Sequence, residues 1–269
     1  MSKNVSGVTT INKDGYSIFW IDAFSDDLKV IIRNRLSAIC HGIVDASKGR
    51  KMFCYKSTLI EFVRRYNSKT DEQKKGMIGE LLLHILLTEL IDEFEVDSAF
   101  FNMEEKSVKK GFDVVLNKTK TSELWIAEVK SGELHKGKNS SQTVTELINT
   151  AQDDLYERLN SDNITLWLNA VHGAKIAISE ERNEKAAIIS ILEDYGDAAT
   201  DNKMNSRQMQ VVLVGTLFNQ LSDKINEKNI SDKYQRIKER ANFKTAYVIA
   251  IQQETYQEIF DFIESESNA

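Results

Sequence analysis

Glu123-Leu124-Trp125-Ile126-Ala127-Glu128-Val129-Lys130-Ser131 reads as a strand covered on both faces, interrupted by two opposite charges. Leu124, Trp125, Ile126, Ala127 and Val129 form a short apolar run bounded by polar residues, the pattern of a buried strand. Residues two apart on a strand share a face, so Glu128 and Lys130 emerge side by side, about 7 Å apart along the strand. Burying a charge costs several kcal/mol, roughly, unless it is paired or binds a metal. A function is therefore expected at this pair.

Asp/Glu-x-Lys triplets also occur at Asp27 to Lys29, Glu72 to Lys74, Glu104 to Lys106 and Asp201 to Lys203, all in polar or helical contexts. Only Glu128 to Lys130 sits in an apolar strand. Upstream, Gly111-Phe112-Asp113 opens a second apolar run, Val114 to Leu116. Fourteen residues lie between Asp113 and Glu128, enough for a hairpin that sets the two acids abreast; a turn residue after Gly111 is the plainer use of Asp113. Further upstream, Thr70-Asp71-Glu72-Gln73 is a capping box, and the helix it starts is expected to reach about Phe94. Gly76 and Gly79 lie on adjoining turns of that helix, each costing about 1 kcal/mol relative to Ala, which points to close approach to a sheet. Glu80 follows at once among Ile78, Leu81, Leu82, Leu83, Ile85 and Leu86. Taken alone it could be a solvated glutamate; beside Asp113 and Glu128 it becomes a candidate ligand.

The 269 residues carry a net charge of −6, 41% hydrophobic and 28% charged residues, no proline and two cysteines. That composition describes a globular chain. No apolar run approaches the roughly 18 residues of a membrane span, and the N-terminus lacks the apolar stretch of a signal peptide. A cytoplasmic protein without membrane association is expected. Cys40 and Cys54 lack a Cys-x-x-Cys spacing and fit a reducing compartment as buried small hydrophobes. The charge is uneven: residues 1 to 70 carry +6, 71 to 100 carry −6, 101 to 140 carry +2, and 141 to 200 carry −7. The positive stretches flank the candidate site. Lys106, Lys109, Lys110, Lys136 and Lys138, with Arg33, Arg35, Arg50, Lys51, Arg64 and Arg65, suit phosphates or an acidic partner, though a charge run is usually a solvated face.

Along the rest of the chain, Tyr16 to Ile21 reads as a strand and Ser25 as the cap of a helix with the stripe Leu28, Ile31, Ile32, Leu36, Ile39 and Ile43. A second helix is expected from about Ser57 to Tyr66. Ser98 to Phe101 is a weak strand and Gly111 to Leu116 a better one, with antiparallel pairing between neighbours the default. Ser141 to Leu159 is a helix with Val144, Leu147, Ile148, Ala151 and Leu155 on one face, and Gln152, Asp153 and Arg158 elsewhere. Residues 162 to 200 are ambiguous at Ile164 to Leu168 and helical through Glu184 to Asp194. Val211 to Leu217 and Thr245 to Ile251 suit further strands, with helices at Asp232 to Arg240 and Glu254 to Ile263. The expected organisation is an N-terminal, mostly helical α/β region at 1–69 that offers a partner or DNA contact, followed by a catalytic domain at 70–269.

Three carboxylates from one helix and two strands are hard oxygen ligands, suited to Mg²⁺ or Mn²⁺ rather than zinc. Such an ion between Asp113, Glu128 and Glu80 would polarise a phosphoryl oxygen and lower the pKa of bound water. Lys130 would orient that water or neutralise developing charge. At these residues the chain resembles the PD-(D/E)xK nuclease superfamily, with Asp113, Glu128 and Lys130 matching its motif and Glu80 its helical glutamate; Phe112 stands where the proline is usual. More closely, Gly79-Glu80-Leu81-Leu82-Leu83-His84, Asp97-Ser98-Ala99-Phe100-Phe101, Gly111-Phe112-Asp113 and Trp125 to Lys130 look like the nuclease subunit of the Hachiman anti-phage defence system, chiefly over residues 70 to 135. The resemblance implies a PD-(D/E)xK restriction-endonuclease-like core, a central mixed sheet flanked by helices. It further implies a Mg²⁺- or Mn²⁺-dependent deoxyribonuclease of little sequence preference, held inactive with a superfamily 2 helicase until triggered.

Two rivals stand beside it. Gly132-Glu133-Leu134-His135-Lys136-Gly137-Lys138-Asn139 has the spacing of a phosphate-binding P-loop, but Asn139 replaces the Ser or Thr that binds Mg²⁺. A non-catalytic scaffold that docks on a helicase would keep the fold and drop the reaction, yet it has no need of the buried charges. His84, one turn after Glu80, is read as a core histidine, with a ligand or supporting role as the alternative; His135 and His172 lack metal spacing.

Overall fold

The computed structural model describes residues 4–101, 111–119, 121, 123–161 and 163–269. Its strands are β1 (Val8–Lys13), β2 (Tyr16–Ile21), β3 (Phe94–Val96), β4 (Val114–Lys118), β5 (Leu124–Glu133), β6 (Gln210–Phe218) and β7 (Thr245–Gln253). They form one mixed sheet in the order β1-β2-β7-β6-β5-β4-β3. The middle strands β2, β7, β6 and β5 run parallel to one another, and antiparallel pairs finish both edges. Parallel strands need helical crossovers and end buried on both faces. All nine residues of β6 are buried accordingly.

The helices are α1 (Asp26–His41), the single turn α2 (Ile43–Ala46), α3 (Tyr55–Asn67), α4 (Asp71–Leu90), α5 (Ser140–Leu159), α6 (Ile164–Ala177), α7 (Lys185–Thr200), α8 (Glu227–Arg240) and α9 (Gln257–Asn268). Side-chain alternation divides them between two cores. Trp125, Ala127 and Val129 of β5 join Leu28 and Leu36 of α1, Phe62 of α3, Leu81 and Ile85 of α4, and Ile259 of α9. Leu124 and Ile126 point the other way, to Val144 and Ile148 of α5, Trp167 of α6, Ile188 of α7 and Ile230 of α8. Among the described residues no helix is long and apolar enough to cross a membrane.

Thr70 and Gln73 form the reciprocal capping box that starts α4. Gly79 is the close-approach glycine: a Cβ there would collide with the Ser131 hydroxyl and lie 3.2 Å from Thr216 Cβ. Gly76 meets nothing within 4 Å, so the sheet makes no such demand of it. The other face has its counterpart in Gly215, where a Cβ would lie 2.9 Å from Ile148 and 3.0 Å from Val144.

Some expectations change. An additional strand, β1, precedes β2 and pairs with it through a turn at Gly15, where φ is +93°. β2 in turn lies beside β7, so residues near both ends of the chain share one sheet. Ser98 to Phe101 is not a strand. The strand comes earlier, at Phe94–Val96, and the later segment donates the N–H groups of Phe100 and Phe101 to the carbonyls of Ile39 and Cys40. Those carbonyls lie in the last turn of α1 and lack helical partners, which this crossing segment supplies. Ile164 to Leu168 is helical.

Candidate active site

The site is set by the register of β4 against β5. Val114 faces Ala127 in an antiparallel pair, which puts Asp113, one residue before β4, opposite Glu128. Asp113 Oδ2 accepts the Val129 N–H at 2.8 Å and ties the start of β4 to β5. Glu128 and Lys130 share the face of Ile126, toward α5. Lys130 Nζ lies 3.0 Å from Glu128 Oε1, the side-by-side geometry expected from their spacing.

α5 brings two further groups. Asn139 and Gln142 cap its start reciprocally, and the missing side chain at Gly215 lets it settle closely on the sheet. Asp154 and Arg158 stand one turn apart on it and so point to one place. Asp154 Oδ2 is 2.5 Å from Lys130 Nζ. Arg158 Nη2 contacts Glu128 Oε2, while its Nη1 donates to the Gly111 carbonyl at 3.1 Å. The result is a crossed set in which each member of the β5 pair is held by the opposite charge on α5.

Glu128 is only 2% exposed, whereas Lys130 and Arg158 are 27% and 26% exposed and look outward. Burial pushes the Glu128 carboxyl up to about 7, and the negative charge of Asp113 pushes the same way; Arg158 and Lys130 pull it down without prevailing. Burial alone would lower Lys130, yet Glu128 and Asp154 hold its ammonium above the ordinary lysine value. At neutral pH Lys130 is thus a cation and hydrogen-bond donor. It is not a free base.

The structure brings Asp113, Glu128 and Lys130 together and does not bring Glu80 to them. Glu80 is buried on α4, whose neighbouring Gly79 touches Ser131 and Thr216 on the opposite face of the sheet. Its charge is felt by Cys40 of α1. His84 is buried on the same helix, edge-on to Phe100 with ring centroids 5.8 Å apart, in an aromatic environment. Among the described residues no group of three His, Cys, Asp or Glu side chains is arranged to hold a metal ion. Asp113 and Glu128 alone still fit the donor chemistry of Mg²⁺, which commonly takes one or two carboxylates and completes its shell with water and substrate phosphate. A carboxyl raised by burial and by a second carboxylate is also one that a nearby cation would stabilise in its charged form.

The P-loop-like stretch serves another purpose. Gly132 and Glu133 are the end of β5, and Asn139 is the N-cap of α5. The Ser140 N–H is donated to Asp223 at 2.7 Å, and Lys138 pairs with Glu146 at 3.0 Å. The helix N-terminus is therefore occupied by protein groups. Several N-terminal cations are similarly engaged: Arg33 with Glu266, Arg35 with Glu89, and Arg64 and Arg65 with Glu61. Lys106, Lys109 and Lys110 lie outside the described residues.

Sequence reading missed Asp154 and Arg158 as members of the site. Their signal was the i, i+4 spacing of opposite charges on α5, matching in reverse the i, i+2 pair of β5. A family model described as HamA matches residues 2–266. Comparison with curated proteins gives no match.

Proposed function

This chain belongs to the HamA family of the Hachiman anti-phage defence system, and from that premise and the Asp113, Glu128, Lys130 group we propose that it is a metal-dependent deoxyribonuclease of the PD-(D/E)xK type. The observation that carries the proposal is the burial of Glu128 beside Asp113 with Lys130 3.0 Å away. A structural role alone gives little reason to keep a carboxyl at the cost of a pKa raised to about 7, since apolar residues of similar volume often serve a core as well as a buried ion pair does.

Asp113 and Glu128 would hold Mg²⁺ or Mn²⁺, without Glu80, which sits on a helix packed against the other face of the sheet. When bound, such an ion polarises a phosphoryl oxygen and lowers the pKa of bound water. Lys130, kept as an ammonium, donates toward the scissile phosphate and neutralises charge developing on its oxygens. Attack of water oxygen on phosphorus breaks one P–O ester bond and leaves a phosphate and a hydroxyl end. The remaining elements of the proposal are DNA as substrate, little sequence preference, and a superfamily 2 helicase partner that keeps the nuclease inactive until triggered. The family membership supports the partnership, and the overall acidic charge suits a nuclease whose access to DNA depends on another subunit.

The test is cleavage of supercoiled and linear DNA with Mg²⁺ or Mn²⁺, alone and with the helicase. Glu128→Ala and Lys130→Ala are each expected to lower cleavage by at least 10²-fold, by analogy with the loss of a charge-stabilising catalytic group. Silence of the wild type under all conditions, with both variants folded and bound to the helicase, would transfer the reading to a non-catalytic scaffold.

A further inference from the structure

We propose that Asp154 and Arg158 of α5 act as exchangeable counter-ions of the site: Arg158 occupies Glu128 until a divalent cation takes that carboxylate, and the freed guanidinium then binds a DNA phosphate. The inference rests on the metal-dependent nuclease reading and names two residues that reading did not contain.

Both oxygens of Glu128 face nitrogen cations. Lys130 Nζ is 3.0 Å from Oε1, and Arg158 Nη2 contacts Oε2. An ion held by Glu128 would compete with these cations for its oxygens, and Asp154, 2.5 Å from Lys130, draws the ammonium partly away. A buried carboxylate needs such company, because without it the charge would be uncompensated. A divalent ion supplies more charge at the same place and relieves the need for Arg158.

Arg158 is also suited to the second half of the exchange. One Nη donates to the Gly111 carbonyl at 3.1 Å, which anchors the guanidinium beside the Asp113 turn even when Glu128 lets go. A guanidinium has five N–H donors in a planar fork, a match for phosphate oxygens, and this one is a quarter exposed. Asp154, about half exposed, can give up Lys130 to the same phosphate without leaving a buried charge.

The exchange predicts effects of opposite sign on the two ligands. In the full-length chain, Arg158→Met keeps most of the stem and removes the competing charge. Mn²⁺ affinity measured by calorimetry is expected to rise about tenfold, the scale of removing one cation at contact distance in a partly solvated site. Affinity for a labelled, hydrolysis-resistant DNA duplex in Mn²⁺ is expected to fall about tenfold, with a salt slope shallower by about one, and to change little in EDTA, where Arg158 stays on Glu128. Arg158→Lys keeps the charge and is expected to leave Mn²⁺ affinity near wild type. Arg158 as a purely structural support would lower both affinities together, and unchanged or weaker Mn²⁺ binding in a folded Arg158→Met protein overturns the proposal. Should that variant not fold, Asp154→Asn decides: full release of Lys130 onto Glu128 is expected to weaken Mn²⁺ several-fold, and no change refutes the exchange. Glu128→Gln separates the levels. Loss of Mn²⁺ binding there without a gain in Arg158→Met defeats the exchange alone, whereas undiminished Mn²⁺ binding in Glu128→Gln defeats the metal reading with it.

Discussion

Replacing Glu128 by glutamine is expected to stabilise the ligand-free fold at pH 8 while changing it little at pH 4.5. The folded carboxyl keeps its proton to about pH 7, against an ordinary value of 4.5. Between those values the folded state binds a proton that the unfolded state has released, so wild-type stability falls as pH rises through this window and levels off above it. At about 1.4 kcal/mol per pH unit the rise amounts to roughly 3 kcal/mol as an upper bound. Glutamine keeps the volume and removes the charge, but it also loses the full ion pairs with Lys130 and Arg158, so a net gain of about 1–2 kcal/mol is the working figure. Asp97, also pushed up to about 7 by burial, titrates in the same window in both proteins, which makes the difference between them the informative quantity. Urea unfolding in EDTA at intervals from pH 4.5 to 8 measures it. Adding Mg²⁺ is expected to narrow the gap, because a ligand of the folded state stabilises only the protein that binds it. A Glu128→Gln protein less stable than wild type by the same amount across the whole range would refute the reasoning, since the pairing would then outweigh the burial.

Further expectations concern the frame of the site. Gly79→Ala is expected to cost about 1–3 kcal/mol in thermal or urea unfolding, because α4 must lift from Ser131 and Thr216; Ser131→Gly in the same chain should recover part of the loss. Arg182 pairs with fully buried Asp97 at 2.8 Å and with Glu95 at 3.0 Å. Arg182→Ala is therefore expected to cost about 3 kcal/mol at pH 8, in the range for a broken buried pair, and less at pH 5, where Asp97 holds its proton; equal losses at both pH values would contradict this.

The central strand was legible because its apolar run and its two charges obey different rules at once: the run says buried, and the period of two says that both charges share a face. Asp113 was legible for a similar reason, since a short hairpin leaves few registers. Glu80 was only half legible. The capping box and Gly79 located the helix and its close contact, but a local pattern carries no information on which face of a sheet a preceding helix covers. Asp154 and Arg158 were hidden in the solvent-facing remainder of an amphipathic helix. What brings them over Lys130 and Glu128 is the seating of α5 on Gly215, which lies far beyond the end of the helix in the chain.

By itself the sequence determined the strands and helices whose patterns are local, the pairing of the Asp113 run with the Glu128 run, and the family. Periodicity and capping act within a few residues, so they survive without knowledge of the rest. Only the tertiary structure decided the strand order that puts β2 beside β7, the face on which Glu80 lies, and the opposite charges that hold Glu128 and Lys130. Those depend on contacts between residues far apart in the chain, where sheet pairing and side-chain packing choose among partners that local propensity leaves equivalent.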